Sequence, residues 1–300
     1  MEHILKLLGD HTFQIVALGS SLLGIISGVL GSFAVLKKQS LLGDGVSHSA
    51  LPGVVLAFLL TSAKNTEVLL IGALVAGLLA TGLITIIVKN TRIKFDSALA
   101  TVMAVFFGLG LVLLTYSQKI PNANQAGLDR FIYGQASTLV IRDIHTMLIA
   151  AIVLLTVVFV FWKEFKLLAF DPNFAQTIGF NVTKLNYLLS FLIVIAIIVG
   201  LQTVGVILMS AMLIAPAVAA RQWTDNLAVM VVLAAIFGAV SGVVGTFISS
   251  SVRGMPTGPI IVVCISVIAV VSLLVAPNRG ILFKLYQRYQ NKKKYGLGAK

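Results

Sequence analysis

Apolar stretches of roughly bilayer length recur along the whole chain, at about 12–36, 41–62, 67–88, 97–115, 144–162, 185–201, 203–220, 227–250 and 259–276. A helix needs about 20 predominantly apolar residues to cross the hydrocarbon core of a membrane. Inside lipid every backbone N–H and C=O must be bonded within the protein, so a chain built of such runs is expected to be all-α and polytopic. The composition points the same way: 58% of residues are hydrophobic and 11% charged, against about a quarter charged in soluble folds, and mean hydropathy is +1.03. The stretch 185–220 is too long for one crossing, and GLQTVG (Gly200–Gly205) offers a turn within it. Nine spans result, or eight if the first run inserts only halfway.

Charge then orients the spans. The chain carries 22 Lys and Arg against 10 Asp and Glu, a net charge of +12. In a soluble protein that balance would suggest nucleic acid; here Lys37, Lys38, Lys89, Arg92, Lys94, Lys163, Lys166, Lys184, Arg221 and the tail 279–300 collect at alternate helix ends. Basic residues mark cytoplasmic ends, so nucleic acid is not an expected partner, and the N-terminus lies outside with the C-terminus inside. The tail is also compatible with lipid headgroups. Lys64, the 116–143 loop, Gln202 and Arg253 fall on the outer side, although Arg130 and Arg142 weaken the bias and their segment is compatible with partial re-entry. The single Cys264 excludes a disulfide framework or a thiolate cluster. Charges before the first run, and its length, argue for a permanent span rather than a cleaved signal. Residues 1–300 read as one transmembrane domain without a soluble module.

Ionisable side chains inside the hydrocarbon cost at least about 2.5–3.5 kcal/mol each, and those that occur line pathways or pair with partners. Glu67, Asp96, His145 and Asp225 sit at helix starts, where charge is cheap. The pair left over lies in LLGDGVSHSALPGVVLAFLL: Asp44 and His48. At i and i+4 on a helix they share a face, and a carboxylate with an imidazole suits manganese, zinc or ferrous iron. Ser47 and Ser49 are placed to help hold the pair. A two-fold dimer would bring the two donors twice. A second reading stands beside this one: Asp44 as a helix N-cap and His48 as a hydrogen-bonded packing residue. Depth is also open. Asp44 follows Lys38 by six residues, which suits the cytoplasmic face, whereas Gly43, Gly45 and Pro52 permit a broken segment reaching deeper.

Between the fifth and sixth runs, LLAFDPNFAQTIGFNV carries helix punctuation. Asp171 is expected as N-cap, Pro172 in the first turn and Gly179 as the stop, giving a cytoplasmic helix of about two turns near 171–180. Phe174 and Ile178 fall on one face with Ala175 beside them. Such a helix packs along the membrane surface or seats an aromatic knob in a partner's groove. No G-x-x-x-x-G-K-[ST], H-E-x-x-H or G-x-S-x-G motif occurs, so nucleotide hydrolysis through a phosphate loop and the commoner hydrolase chemistries are not expected.

Four stretches together, LLGDGVSHSALPGVVLAFLL, GLDRFIYGQASTLV, LLAFDPNFAQTIGFNV and LQTVGVILMSAMLIAPAVAAR, resemble the membrane permeases of bacterial metal-ion ABC importers, the ABC-3 type. The resemblance covers nearly the whole chain. It implies a fold like that of the vitamin B12 and siderophore permeases, a homodimer in the cell membrane, two cytoplasmic ATPase subunits and an extracellular metal-binding protein. It also implies a non-enzymatic transport subunit with no resident cofactor. The family's G-D-x-x-x-H-x-x-x-P-G stretch matches Gly43, Asp44, His48, Pro52 and Gly53, which implies that Asp44 and His48 coordinate the transported metal. Its coupling element matches Asp171, Pro172, Phe174, Ala175 and Gly179. The form GLDRFIYGQAS looks more like the manganese and iron members than the zinc ones. Two rival readings are a siderophore or vitamin permease and a proton-coupled secondary metal transporter. Gln118, Asn122, Gln202 and Thr203 are candidates for the outer mouth.

Overall fold

The structure, a computed structural model, describes residues 10–62, 65–119, 134, 139–252, 254–277 and 279–294, with the side chains of 202, 207, 288, 289 and 291–294 left out. These residues form α1 (His11–Leu36), α2 (Leu42–Ser49), α3 (Leu51–Thr61), α4 (Thr66–Asn90), α5 (Phe95–Gln118), α6 (Ile141–Val160), α7 (Trp162–Phe170), α8 (Pro172–Thr177), α9 (Val182–Trp223), α10 (Leu227–Ser251), α11 (Thr257–Val275) and α12 (Ile281–Lys294). No strand occurs among them. The helix starts follow their capping residues: the Asp10, Asn65, Asn181 and Asn226 carboxyl or amide oxygens accept from backbone N–H groups in the first turns of α1, α4, α9 and α10.

Eight of the described helical segments are long and apolar enough to span a bilayer, α2 and α3 counting as one. The first run is a full helix of 26 residues, long and apolar enough to span. The split expected at GLQTVG is present and pinned to its last residue. α9 is a run of 42 residues interrupted only at Gly205, with φ 79° and ψ 173°, a region that side chains essentially exclude. The chain doubles back there. A Cβ on Gly200 would lie 2.3 Å from the Met209 sulfur, whereas residues nine apart on a straight helix are separated by about 13 Å. The returning limb, 206–223, corresponds to the run expected at 203–220 and stands outside the eight segments that are long and apolar enough to span.

The two ends of the bundle differ as the charge pattern requires. At one end Lys37 Nζ donates to Asn186 Oδ1, and Asp225 Oδ1 accepts from Arg279 at 2.6 Å and faces Arg221 at 3.7 Å. At the other, Arg142 pairs with Glu67 at 2.6 Å. Lys64, Arg130 and Arg253, and all of GLDRFIYGQAS except Gly134, lie outside the described residues. Two elements had no counterpart in the hydropathy reading. α7 separates from α6 at Phe161, and the basic tail forms α12 as far as Lys294.

Without a hydrophobic driving force between helices in lipid, close contact needs small residues. α1 is the hub. Its Gly24 and Gly28 back onto Gly238 and Ala234 of α10, and Gly31 onto the Leu213 carbonyl of α9. Leu23, Ile26, Leu30 and Phe33 of α1, with Ile193, Ile197, Met209 and Leu213 of α9, are fully buried. Four buried hydroxyls are satisfied on their own helices: Ser20, Ser32, Thr81 and Thr246 each donate to the carbonyl four residues back, at 2.6–2.8 Å. The outward faces of α4, α5, α6 and α11 are lined by exposed Leu, Ile and Val, the surface that lipid solvates.

Candidate metal site

α2 is eight residues long and begins at Leu41 without a side-chain cap. Asp44 is the third residue inside the helix, so it is not the N-cap; it sits in the first turn, where a carboxylate complements the helix dipole. The break that ends α2 at Ala50 has a local cause. Pro52 lacks the N–H that would close on the His48 carbonyl, and Pro is tolerated only in the first turn of the next helix, α3.

Glycine brings this short helix close to its neighbours. A Cβ on Gly43 would lie 3.0 Å from Leu213 of α9, and one on Gly45 2.8 Å from Leu99 of α5. Val46 reaches Gly77, near the midpoint of α4, and the His48 ring meets Phe107, near the midpoint of α5, edge to face at 4.8 Å. The broken-segment alternative is the one realised: α2 starts inside the basic end and carries His48 to mid-depth.

Asp44 Oδ1 and His48 Nε2 are 3.5 Å apart, and their side chains retain 39% and 23% exposure. That separation matches the edge of a tetrahedron of donors about 2.1 Å from a central ion, roughly 3.4 Å. The pair therefore faces open space at a spacing one cation can bridge. His48 Nδ1 is buried without a partner. Ser47 does not serve the pair, because its hydroxyl donates to the Gly43 carbonyl at 2.7 Å; the Ser49 hydroxyl is buried and unpartnered. No group of three His, Cys, Asp or Glu side chains occurs among the described residues. One chain thus offers two strong donors. Phe107 went unnoticed in the sequence because one aromatic in an apolar run carries no signal.

The expected surface helix forms at α8. Asp171 Oδ1 accepts from the Phe174 N–H at 2.9 Å, with Pro172 in the first turn. At the other end the Phe180 N–H bonds to Ala175 O and the Gly179 N–H to Gln176 O, with Gly179 at φ 94°, the paired closure that favours glycine. Ala175 is buried, while Phe174 and Ile178 stand exposed on the basic end. Of the outer-mouth candidates, Gln118 is the exposed last residue of α5 and Thr203 is buried, donating to Gly200 O. Asn122 and the Gln202 side chain lie outside the described residues.

A model of the ABC 3 transport family matches residues 10–276. The zinc transport system membrane protein TroC of Treponema pallidum (strain Nichols) is 49% identical over 288 residues, 96% of this chain and 97% of that protein. The manganese transport system membrane protein MntC of Bacillus subtilis (strain 168) is 51% identical over 271 residues, 90% of this chain and 62% of that protein. Among solved structures, PsaBC from Streptococcus pneumoniae in complex with Fab superposes with a TM-score of 0.81 at 31% identity, covering 93% of this chain and 97% of that one. An inward-facing metal-chelate type ABC transporter shares the fold, with a TM-score of 0.64 at 15% identity over 86% and 83% of the two chains.

Proposed function

This chain belongs to the ABC 3 transport family, a multi-pass subunit of a metal-ion importer of the cell membrane, and from that premise we propose that it passes Mn²⁺ inward through the Asp44–His48 pair. Zn²⁺ and Fe²⁺ are the alternative cargoes. The observation that carries the reading is the 3.5 Å pair at mid-depth, partly open and with no Lys or Arg paired to Asp44 among the described residues. Carboxylate and imidazole together suit all three ions. A two-donor contact holds an ion weakly, which suits a transit point from which it must leave. In this reading a homodimer of the 1–300 transmembrane domain supplies the pair twice, an extracellular binding protein delivers the ion, and two cytoplasmic ATPase subunits provide the energy.

The α8 element, from Asp171 to Gly179, is the proposed contact with the ATPase. Its caps fix the helix independently of the rest of the chain, leaving the Phe174 ring free to enter a groove. Phe174→Ala should weaken ATPase docking by about 30-fold, equivalent to about 2 kcal/mol for one aromatic anchor. Pull-down titration measures it, with an unchanged melting temperature of the isolated permease as the fold control. Full-strength docking by the variant would remove Phe174 from the interface.

Reconstitution tests the function as a whole. Proteoliposomes containing permease, ATPase and binding protein should accumulate Mn²⁺ only with ATP, and omission of the ATPase should stop uptake. Uptake driven by a proton gradient without the ATPase would instead establish a secondary transporter. Competition by Zn²⁺ and Fe²⁺ in the same assay ranks the cargoes.

A further inference from the structure

A positive charge without a described counter-ion lies at the basic end. A cavity of about 250 Å³ opens there between the end of α1, the end of α4, the start of α5 and the outgoing limb of α9, and Lys37, Gln39, Lys89, Asn186, Tyr187 and Ser190 are on its wall. No Asp or Glu lines it. Neither lysine belongs to an ion pair among the described residues. Lys37 donates to the neutral Asn186 amide, and the buried Gln39 Oε1 has no partner. Burial, with no carboxylate to offset it, holds the Lys37 amine at about 8, well below the ordinary lysine range. A partly desolvated cation is tolerated when an anion completes it. The two ammonium groups also repel a divalent metal, so this cavity does not suit the cargo's route.

The surroundings identify the anion. The cavity sits where the membrane-spanning helices end among basic residues, the level of the cytoplasmic headgroups, where anionic lipids concentrate. From its rim, exposed Leu79, Leu83 and Ile86 of α4 and Phe191 of α9 continue along the outward face. A ligand with a charged head and apolar tails matches both parts. We propose that this cavity binds the phosphate headgroup of an anionic phospholipid, held by Lys37 and Lys89, with its acyl chains lying along the exposed faces of α4 and α9.

The test uses the full-length protein in nanodiscs of phosphatidylglycerol or phosphatidylcholine. Acylation of Lys37 at pH 8 by a water-soluble amine reagent is followed by peptide mass spectrometry. Phosphatidylglycerol should slow labelling of Lys37 by about 5-fold, as expected at pH 8 if the anion raises the amine's pKa from about 8 by one unit. Co-purified phosphatidylglycerol should fall to the phosphatidylcholine level in the Lys37→Gln/Lys89→Gln variant, with monodispersity and helix content unchanged. Inorganic phosphate in phosphatidylcholine discs is the second arm. If it protects Lys37 as well as the lipid does, the phosphate is a soluble ion and the lipid assignment fails. Protection by neither, protection only when the ATPase subunit is added, or undiminished lipid enrichment in the double variant would each overturn the site.

Discussion

Proteoliposomes carrying Asp44→Ala or His48→Ala are expected to take up metal at least about 100-fold more slowly than wild type while the permease still assembles with its ATPase. Changing even a residue that only orients a metal ligand typically costs 10–100-fold, and here each variant leaves the chain with one of its two strong donors. Asp44 is partly exposed and His48, 3.5 Å away, is its ion-pair partner, so Asp44→Ala should leave stability within about 0.5 kcal/mol. His48→Ala also gives up the edge-to-face contact with Phe107 and should cost about 1 kcal/mol, too little to unfold the chain. Asp44→Asn removes the carboxylate charge and His48→Gln the imidazole nitrogen, each leaving a neutral amide oxygen as a weaker donor, so both should also slow uptake, by less than the alanine variants if the cargo is Mn²⁺. Ser47→Ala is the internal control: its hydroxyl serves the Gly43 carbonyl, so uptake should persist. Wild-type uptake by either alanine variant would remove the pair from the pathway.

Gly24→Ala should be among the most damaging single-methyl changes in the molecule. Its Cβ would stand 2.2 Å from the Gly238 carbonyl oxygen, and the reciprocal Cβ on Gly238 2.1 Å from the Gly24 oxygen. Both obstacles are backbone, so neither can swing aside, and α1 and α10 must separate. Overpacking of this kind costs about 1–3 kcal/mol or more, and it falls on the helix that organises the core. Gly82 and Gly108 have open space where a Cβ would go, so Gly82→Ala and Gly108→Ala should be neutral or gain up to about 1 kcal/mol of helix propensity. Melting temperatures of the three purified variants in one detergent decide the matter. Equal values would mean that the contact between α1 and α10 is loose.

Much of this was readable before any coordinates. Hydropathy located the crossings because lipid leaves the backbone no other solution, and the caps of α8 were legible because Asp171, Pro172 and Gly179 act through local chemistry alone. Asp44 and His48 stood out by being too polar for their surroundings. Their depth was not legible. Counting six residues from Lys38 assumes a straight climb, whereas the chain turns at Lys38, with φ 58°, and starts a separate short helix among Leu213, Leu99 and Gly77. That placement depends on contacts between segments far apart in sequence. The same holds for Lys37, which reads as one more cytoplasmic charge until α4 and α9 close around it. Of GLDRFIYGQASTLVIRD, 127–143, the segment compatible with re-entry, only Gly134 and 139–143 are among the described residues.

The fold of α9 on itself has a mechanical meaning. Its outgoing limb begins three residues past Gly179, where the α8 element stops, and its returning limb presses Leu213 against Gly43, next to Asp44. Both limbs meet at the single glycine joint. A tilt of about 5° over a limb of about 33 Å displaces its far end by about 3 Å, comparable with the gap between the two donors. The hairpin is thus a lever with its fulcrum at Gly205, its handle beside Phe174 and its working edge against the helix that carries Asp44 and His48.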